Sequence, residues 1–130
     1  MYKDFSKWSA LKEKLNNLKN KAPLFKDGEI WWCSIGINIG SEVDGKSRLF
    51  SRPIIVLKKL SDDSFVGIPM TGKIKGGSWY VLLTCNGKAS WANLAQIRSF
   101  NYKRMSDKYG QLDDDSFKNI KNRLRILLVF

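Results

Sequence analysis

An arginine stands where a polar loop gives way to an apolar segment. The stretch "NIGSEVDGKSRLFSRPIIVL", residues 38–57, begins as a glycine-punctuated loop and ends as a continuous apolar run, with Arg52 and Pro53 at the junction. Proline has no backbone N–H, so at the start of a strand it removes one hydrogen-bond donor that a strand edge does not need. Its ring also fixes the direction of the chain. Arg52 is therefore expected to extend from a rigid element. Its guanidinium stays protonated, so it is suited to supplying fixed charge and poorly suited to acting as a general base. A surface ion pair is the simpler interpretation of the residue alone.

The charge balance favours a polyanionic partner. Lys and Arg outnumber Asp and Glu by 23 to 12 among 130 residues, which gives a formal charge of +11 and a sequence pI near 9.8. Such a surface attracts nucleic acid through phosphate contacts and counterion release. Charge alone does not establish nucleic-acid binding, because many small proteins are basic.

Cys33 and Cys85 lie in separate apolar segments with no CxxC spacing, and the chain contains no histidine. The sequence therefore predicts two buried reduced thiols, no metal site and no cofactor. A mechanism built on histidine is excluded. No long apolar window occurs, so the sequence indicates a cytoplasmic protein without a membrane segment.

The N-terminal residues predict an amphipathic helix. Asp4 is available as its N-cap, and Pro23 lies beyond its end. We expect its lysines to form a solvated face, with partner binding as the alternative. We expect its apolar stripe to pack on the body of the domain: Phe5, Trp8, Leu11, Leu15 and Leu18.

From Gly28 onward the pattern is typical of short strands that form a small barrel. Helical spacing returns near the end, behind the acidic residues 113–115, which suit a helix N-terminus better than a metal site. The apolar face of this last helix comprises Phe117, Ile120, Leu124 and Leu127. The predicted strand segments are "GEIWWCSI", "RPIIVLKK", "SFVGIPMT", "SWYVLLTC", "KASWANL" and "QIRSF".

Five motifs in order carry a family resemblance: "GEIWWCSIG", "GSEVDG", "RPIIVL", "IPMT" and "QIRSFNYKRM". Together they resemble the MazF/PemK toxins, the endoribonuclease half of type II toxin–antitoxin pairs. The resemblance implies a mainly β fold with α, in which a small SH3-like barrel (MazF/CcdB/PemK-type) carries a C-terminal helix and an added N-terminal amphipathic helix. It implies an N-terminal helical extension at residues 1–25 and a toxin domain at residues 26–130. It also implies a homodimer whose interface builds the RNA groove, and a cognate antitoxin.

The resemblance further implies metal-independent cleavage of single-stranded RNA by the neighbouring 2′-hydroxyl, with a 2′,3′-cyclic phosphate as product. The family's catalytic arginine falls on Arg52, and its catalytic threonine falls on Thr71. In this reaction extra negative charge develops on the non-bridging phosphate oxygens, and a guanidinium beside them stabilises that charge selectively. Thr71 would donate its hydroxyl to the phosphate or orient the attacking 2′-hydroxyl. Without the resemblance, Thr71 is a strand-end turn residue.

Surrounding residues are expected to bind RNA rather than to do chemistry. Alternation places Gln96 and Arg98 on one strand face, where they bind RNA or tie down the active-site strand. Trp79 or Tyr80 can stack on an unpaired base, although a core position is the simpler interpretation of either aromatic residue. The expected RNA-binding residues are Glu42, Lys46, Arg48, Lys73, Lys75, Gln96 and Arg98.

The chain departs from the Kid branch of the family, in which a histidine, an arginine and an aspartate carry the chemistry. Ser41, Asn93 and Ala95 stand at those places here, and Gly72 replaces a second threonine or serine after Thr71. The acid–base scheme of that branch therefore does not transfer. Two other functions stay open: a non-cleaving barrel that holds nucleic acid or an antitoxin, and a gyrase poison of the CcdB kind. The N-terminal helix masking the dimer face or the groove is a further alternative.

Overall fold

The computed structural model describes residues 2–47, 49–73 and 77–129. Short 3₁₀ turns, Leu94–Gln96 and Tyr102–Arg104, lie on either side of the sixth strand. No helix in these ranges is long and apolar enough to cross a membrane. In chain order the elements are α1 (Phe5–Asn16), β1 (Glu29–Ser34), β2 (Ser51–Lys59), β3 (Ser64–Thr71), β4 (Tyr80–Cys85), β5 (Lys88–Asn93), β6 (Arg98–Asn101), β7 (Met105–Gln111) and α2 (Asp114–Leu127).

The strands form one antiparallel sheet that curves into a half-barrel, with the order β4-β5-β3-β2-β1-β7. Strand β3 has two partners on one edge, because its first half pairs with β6 and its last two residues pair with β5. The β4–β5 hairpin turns at Asn86–Gly87, where both residues have positive φ, as a two-residue type I′ turn requires. The Asn86 side chain donates to the carbonyl of Tyr109 at 2.6 Å, so a side chain connects the two ends of the sheet.

The core is divided between the two faces of the sheet. Ile55 lies in a cluster that α2 covers, whereas Ile54 and Val56 lie in a second cluster on the other face. All three side chains are fully buried. The continuous apolar run of β2 is therefore explained by burial on both faces, which is typical of a central strand.

The C-terminal helix forms as predicted. The Asp113 side chain accepts a hydrogen bond from the backbone N–H of Ser116 at 2.7 Å, which caps the helix, and Ile120 and Leu124 are buried beneath it. Both cysteines are free and buried, and burial raises the pKa of the Cys33 thiol. Cys33 is therefore a core residue and not a nucleophile.

The predicted apolar stripe of α1 is wrong in its extent. Asp4 caps the helix as expected, but Trp8 is the buried residue of α1. Phe5 is 51% exposed, and Leu18 lies beyond the end of the helix at 41% exposure. Leu11 and Leu15 are half-buried, so the predicted stripe extends from Trp8 to Leu15 and does not include Phe5 or Leu18.

Strand β7 is absent from the sequence prediction. Its residues, "MSDKYGQ", are mostly polar and exposed, since it is an edge strand that pairs with β1. Strand β7 buries none of its residues, so it lacks the apolar alternation that reveals β4, the strand at the other edge. The segment "QIRSF" is also shorter as a strand than predicted, because Gln96 belongs to a 3₁₀ turn and β6 begins at Arg98.

Candidate functional site

Arg52 is fixed at the start of β2 by backbone acceptors on two sides. Its Nε donates to the carbonyl of Asp44, and its Nη1 donates to the carbonyl of Met70 at 3.4 Å. Pro53 is paired with Trp32 of β1, one residue before the pairing of β2 with β3 begins at Ile54. The missing N–H is therefore tolerated at a strand end even though β2 is a central strand.

The surroundings of Arg52 hold it as a half-buried cation. Partial burial lowers the pKa of Arg52 from its ordinary value, and the nearby charge of Asp44 opposes this change. The ordinary value is so high that the group remains charged at neutral pH. Its chemistry is accordingly that of a fixed positive charge with directed N–H donors.

Thr71 ends β3 beside this guanidinium. Its Oγ1 accepts a hydrogen bond from the backbone N–H of Lys73 at 3.3 Å, and its carbonyl accepts one from Ser90 at 3.2 Å. The threonine therefore does stabilise a strand-end turn. Its hydroxyl proton remains available to a ligand, and Thr71 and Arg52 line the same cavity of about 300 Å³.

Two lysines add positive charge to this cavity, which we call the Arg52 cavity. Lys46 and Lys73 both line it. The charge of Arg52 is the largest cause that lowers the pKa of Lys46, followed by burial and by the charge of Lys73. Cations that disfavour one another in this way are stabilised by an anion placed among them. The Arg52 cavity is therefore suited to a phosphate-bearing ligand.

The loop between β1 and β2, residues 35–50, carries two carboxylates, and both are bonded to groups within the protein. Glu42 lines the Arg52 cavity, but its side chain accepts a hydrogen bond from the N–H of Ile39 at 3.0 Å. Asp44 accepts from the N–H of Asn38 at 2.6 Å and forms an ion pair with Lys3 at 3.0 Å. Both side chains therefore stabilise the loop itself.

Asn93 and Tyr80 complete the wall of the cavity on the β4–β5 side. Asn93 is 9% exposed, and its Oδ1 has no hydrogen-bond partner within the described part of the chain. A buried acceptor of this kind is costly unless a ligand donates to it. The sequence gives one signal for Asn93, its place just before "QIR", where the Kid branch has arginine. It indicates Tyr80 as an alternative to Trp79 for stacking on a base.

A second cavity, of about 350 Å³, shares Arg52 and Lys46 with the first. Its other walls include Lys88 of β5 and Tyr109 of β7, neither of which the sequence suggested. Tyr109 belongs to β7, a strand that the sequence pattern does not reveal. Arg52 and Lys46 thus lie between two cavities, in a position from which an extended ligand can contact both.

Gln96 and Arg98 lie together beside the site and outside the Arg52 cavity. They line a separate cavity of about 240 Å³ that also includes Glu42. Gln96 accepts a hydrogen bond from the N–H of Val43 at 3.3 Å, so it ties down the 35–50 loop, and the Arg98 guanidinium lies 4.7 Å from the centre of the Phe100 ring. The prediction that Gln96 and Arg98 lie on one side is correct, although Gln96 belongs to a 3₁₀ turn and not to a strand.

The remaining predicted residues, Arg48 and Lys75, lie outside the described residues. Across residues 2–47, 49–73 and 77–129, no group of three or more His, Cys, Asp or Glu side chains is arranged to hold a metal ion. The structure thus brings together Arg52, Thr71, Glu42, Lys46 and Lys73, with Gln96 and Arg98 in the adjoining cavity.

A model of the family described as "PemK-like, MazF-like toxin of type II toxin-antitoxin system" matches residues 26–128. The protein therefore belongs to the PemK/MazF toxin family. A comparison with curated protein sequences finds no match.

Several solved structures have the same fold. MazF from Deinococcus radiodurans is 20% identical with a TM-score of 0.69, and the match covers 82% of this chain and 97% of that one. The MazE–MazF complex from the same organism gives 18% identity, a TM-score of 0.62 and coverage of 82% and 96%. An endoribonuclease bound to its cognate antitoxin, from a mycobacterial species, gives 15% identity, a TM-score of 0.62 and coverage of 84% and 99%. At these identities the similarity establishes the fold.

Replacing Arg52 by glutamine should raise the pKa of Lys46 towards the ordinary lysine value, because the largest source of repulsion is removed. Lys73→Gln should raise it less, since Lys73 is the smallest of the three causes. An NMR titration of the lysine side chains measures both shifts, with Lys58→Gln, on the same strand as Arg52, as the control. An unchanged Lys46 pKa in Arg52→Gln would show that the two cations do not share a site.

Proposed function

We propose that this protein is a metal-independent endoribonuclease that cleaves single-stranded RNA in the cytoplasm as the toxin of a type II toxin–antitoxin pair. The observation that carries the proposal is the placement of Arg52, half-buried and held by two carbonyls, in one cavity with Thr71 and two lysines. Membership of the PemK/MazF family and a structural neighbour described as an endoribonuclease support it.

The proposed role of Arg52 is to stabilise the transition state. The RNA 2′-oxygen attacks the adjacent phosphorus, and the bond to the 5′-oxygen breaks. The 2′-hydroxyl proton is lost, and the leaving 5′-oxygen gains a proton. Negative charge increases on the non-bridging oxygens at the five-coordinate stage, so a guanidinium already fixed beside them favours this stage over the bound substrate.

Thr71 is proposed to orient the reacting groups. Its hydroxyl oxygen accepts from Lys73, which leaves its proton to point at a phosphate oxygen or at the 2′-oxygen. Because the hydroxyl is held at a strand end, little freedom is lost when substrate binds.

Lys46 and Lys73 are proposed to bind the flanking phosphates, and Asn93 to accept a hydrogen bond from the substrate. Glu42, Gln96 and Arg98 are proposed to contact RNA from the adjoining cavity, a role that extends their observed part in ordering the 35–50 loop. These residues should affect binding more than chemistry, because phosphate contacts are made equally in the ground and transition states.

We propose a homodimer that an acidic antitoxin segment inhibits. The net charge of +11 and the three cations of the Arg52 cavity match an extended acidic and apolar peptide. Structural neighbours that are complexes with antitoxins support this partner class.

Purified protein should cut a long single-stranded RNA in EDTA and leave a 2′,3′-cyclic phosphate and a 5′-hydroxyl. A matched RNA with one 2′-deoxy residue at the cut position should resist, because it lacks the nucleophile. Mapping of the new ends measures both results. Activity that disappears in EDTA and returns with magnesium would refute the proposal; RNA that is bound but intact would favour a non-cleaving module, and trapping of gyrase on DNA would favour a CcdB-like poison.

Arg52→Ala should slow cleavage about 10²- to 10³-fold while weakening RNA binding less than about tenfold, because a transition-state contact is lost. Thr71→Val should slow cleavage more mildly, and Thr71→Ser should retain it because the hydroxyl remains. Lys58→Ala, with the same loss of charge on β2, serves as the control. Single-turnover cleavage and anisotropy measure the two effects, with thermal melting to verify folding. Near-normal cleavage by Arg52→Ala would point instead to Arg48 or Arg98.

Light scattering of the full chain should give a mass twice its 14.9 kDa. A synthetic acidic and apolar peptide should displace labelled RNA, and its affinity should fall as salt rises. A monomer, or a peptide whose binding is independent of salt, would contradict the proposed assembly and partner respectively.

A further inference from the structure

The N-terminal segment, residues 2–25, is bonded to the loop that holds Arg52. The Lys3 ammonium lies 3.0 Å from a carboxylate oxygen of Asp44 and donates to the carbonyls of Asn38 at 2.7 Å and Gly40 at 3.3 Å. An ammonium has three donors, and all three are used on this one loop. An isolated surface ion pair contributes little to stability, but this one is largely shielded, with side-chain exposures of 21% and 23%.

Asp44 connects this lysine to the candidate catalytic arginine. One oxygen of its carboxylate faces Lys3, and the other accepts from the N–H of Asn38. Its backbone carbonyl accepts from Nε of Arg52. The position of Asp44 therefore depends on Lys3, and it determines where the Arg52 guanidinium is anchored.

Trp8 supplies a second attachment to the same loop. Gly36 has φ +82°, and a Cβ at this position would overlap the Trp8 indole. The Trp8 ring also lies 5.7 Å from the Phe50 ring, at the other end of the loop. Gly36 in turn accepts a hydrogen bond from the N–H of Gly45 at 2.7 Å. The N-terminal segment thus contacts the beginning, the middle and the end of the loop.

We propose that Lys3 is a positioning residue, which orients Arg52 towards the Arg52 cavity through Asp44. This inference rests on the proposed function, because it assigns the N-terminal segment a part in the activity of that site. The family model begins at residue 26, so the segment is an addition to the family region that sets the geometry of its site. A small displacement of a group that acts in the transition state lowers turnover strongly while binding changes little.

The test compares the full-length protein with Lys3→Gln, Lys3→Arg and Lys7→Gln. Lys7 is the matched control, since it lies on the same segment, has an 80% exposed side chain and loses the same charge. Lys3→Gln should lower kcat on single-stranded RNA about tenfold to a hundredfold with KM within about twofold, while Lys3→Arg and Lys7→Gln should retain kcat. In the Arg52→Ala background, Lys3→Gln should have no further effect, because the two changes act on one unit.

Hydrogen exchange provides a readout that needs no cleavage. The N–H groups of Asn38 and Gly45, and Nε–H of Arg52, should exchange at least several-fold faster in Lys3→Gln and at normal rates in Lys7→Gln. Unchanged exchange, unchanged kcat, or full additivity with Arg52→Ala would each overturn the inference. If the normal protein cuts no RNA, the proposed function fails, whereas the exchange at Arg52 still decides whether Lys3 positions it.

Discussion

The hydrogen bond from Nε of Arg52 to the carbonyl of Asp44 joins the sheet to the 35–50 loop at the point on which the candidate chemistry depends. A guanidinium has five N–H donors in a rigid plane, so fixing one edge directs the other. Here the sheet fixes the backbone of Arg52, and carbonyls of the loop and of Met70 fix its side chain. The orientation is therefore produced by folding, before any ligand arrives, which is the condition for electrostatic preorganisation.

The clustering of positive charge at the Arg52 cavity opposes folding, and the core must offset it. Arg52 and Lys73 both repel Lys46, as the lowered pKa of Lys46 indicates, and burial adds a further penalty at Arg52. The residues that supply the opposing free energy are apolar and lie elsewhere, on both faces of β2 and beneath α2. Such a division is typical of binding sites, where local strain or repulsion is tolerated because the scaffold is stable.

Much of the fold could be predicted because it is encoded in local periodicity. The central strand β2 is a continuous apolar run, and α2 has an N-cap and a regular apolar face. By contrast β7 is a polar edge strand, and its place beside β1 depends on contacts between distant segments. The extent of α1 was overestimated for a related reason, because spacing identifies an apolar stripe but not the size of the surface that receives it.

The same distinction applies to the site. Arg52 and Thr71 stand at strand ends within recognisable motifs, so the sequence could indicate them. The link from Lys3 to Asp44 and the anchoring of the loop by Gln96 could not be predicted, because both depend on the path of an irregular loop. The burial of the Asn93 side chain could not be predicted either, because it depends on how distant segments pack around the end of β5. Backbone acceptors such as the carbonyl of Asp44 have no signature in a sequence at all.

Within the described residues, the β4–β5 hairpin pairs with two residues of β3, and its Ser90 and Asn86 side chains donate to the carbonyls of Thr71 and Tyr109. Its buried side chains, among them Val81, Leu83 and Ala92, belong to the core cluster that α2 covers. Arg52, by contrast, belongs to a strand that is paired on both edges. The Arg52 cavity is therefore built from two elements, because one wall carries the guanidinium on β2 and the other carries Tyr80 and Asn93 on the hairpin. The group proposed to act in the transition state and the side chains that face it across the cavity thus lie on separate elements of the sheet.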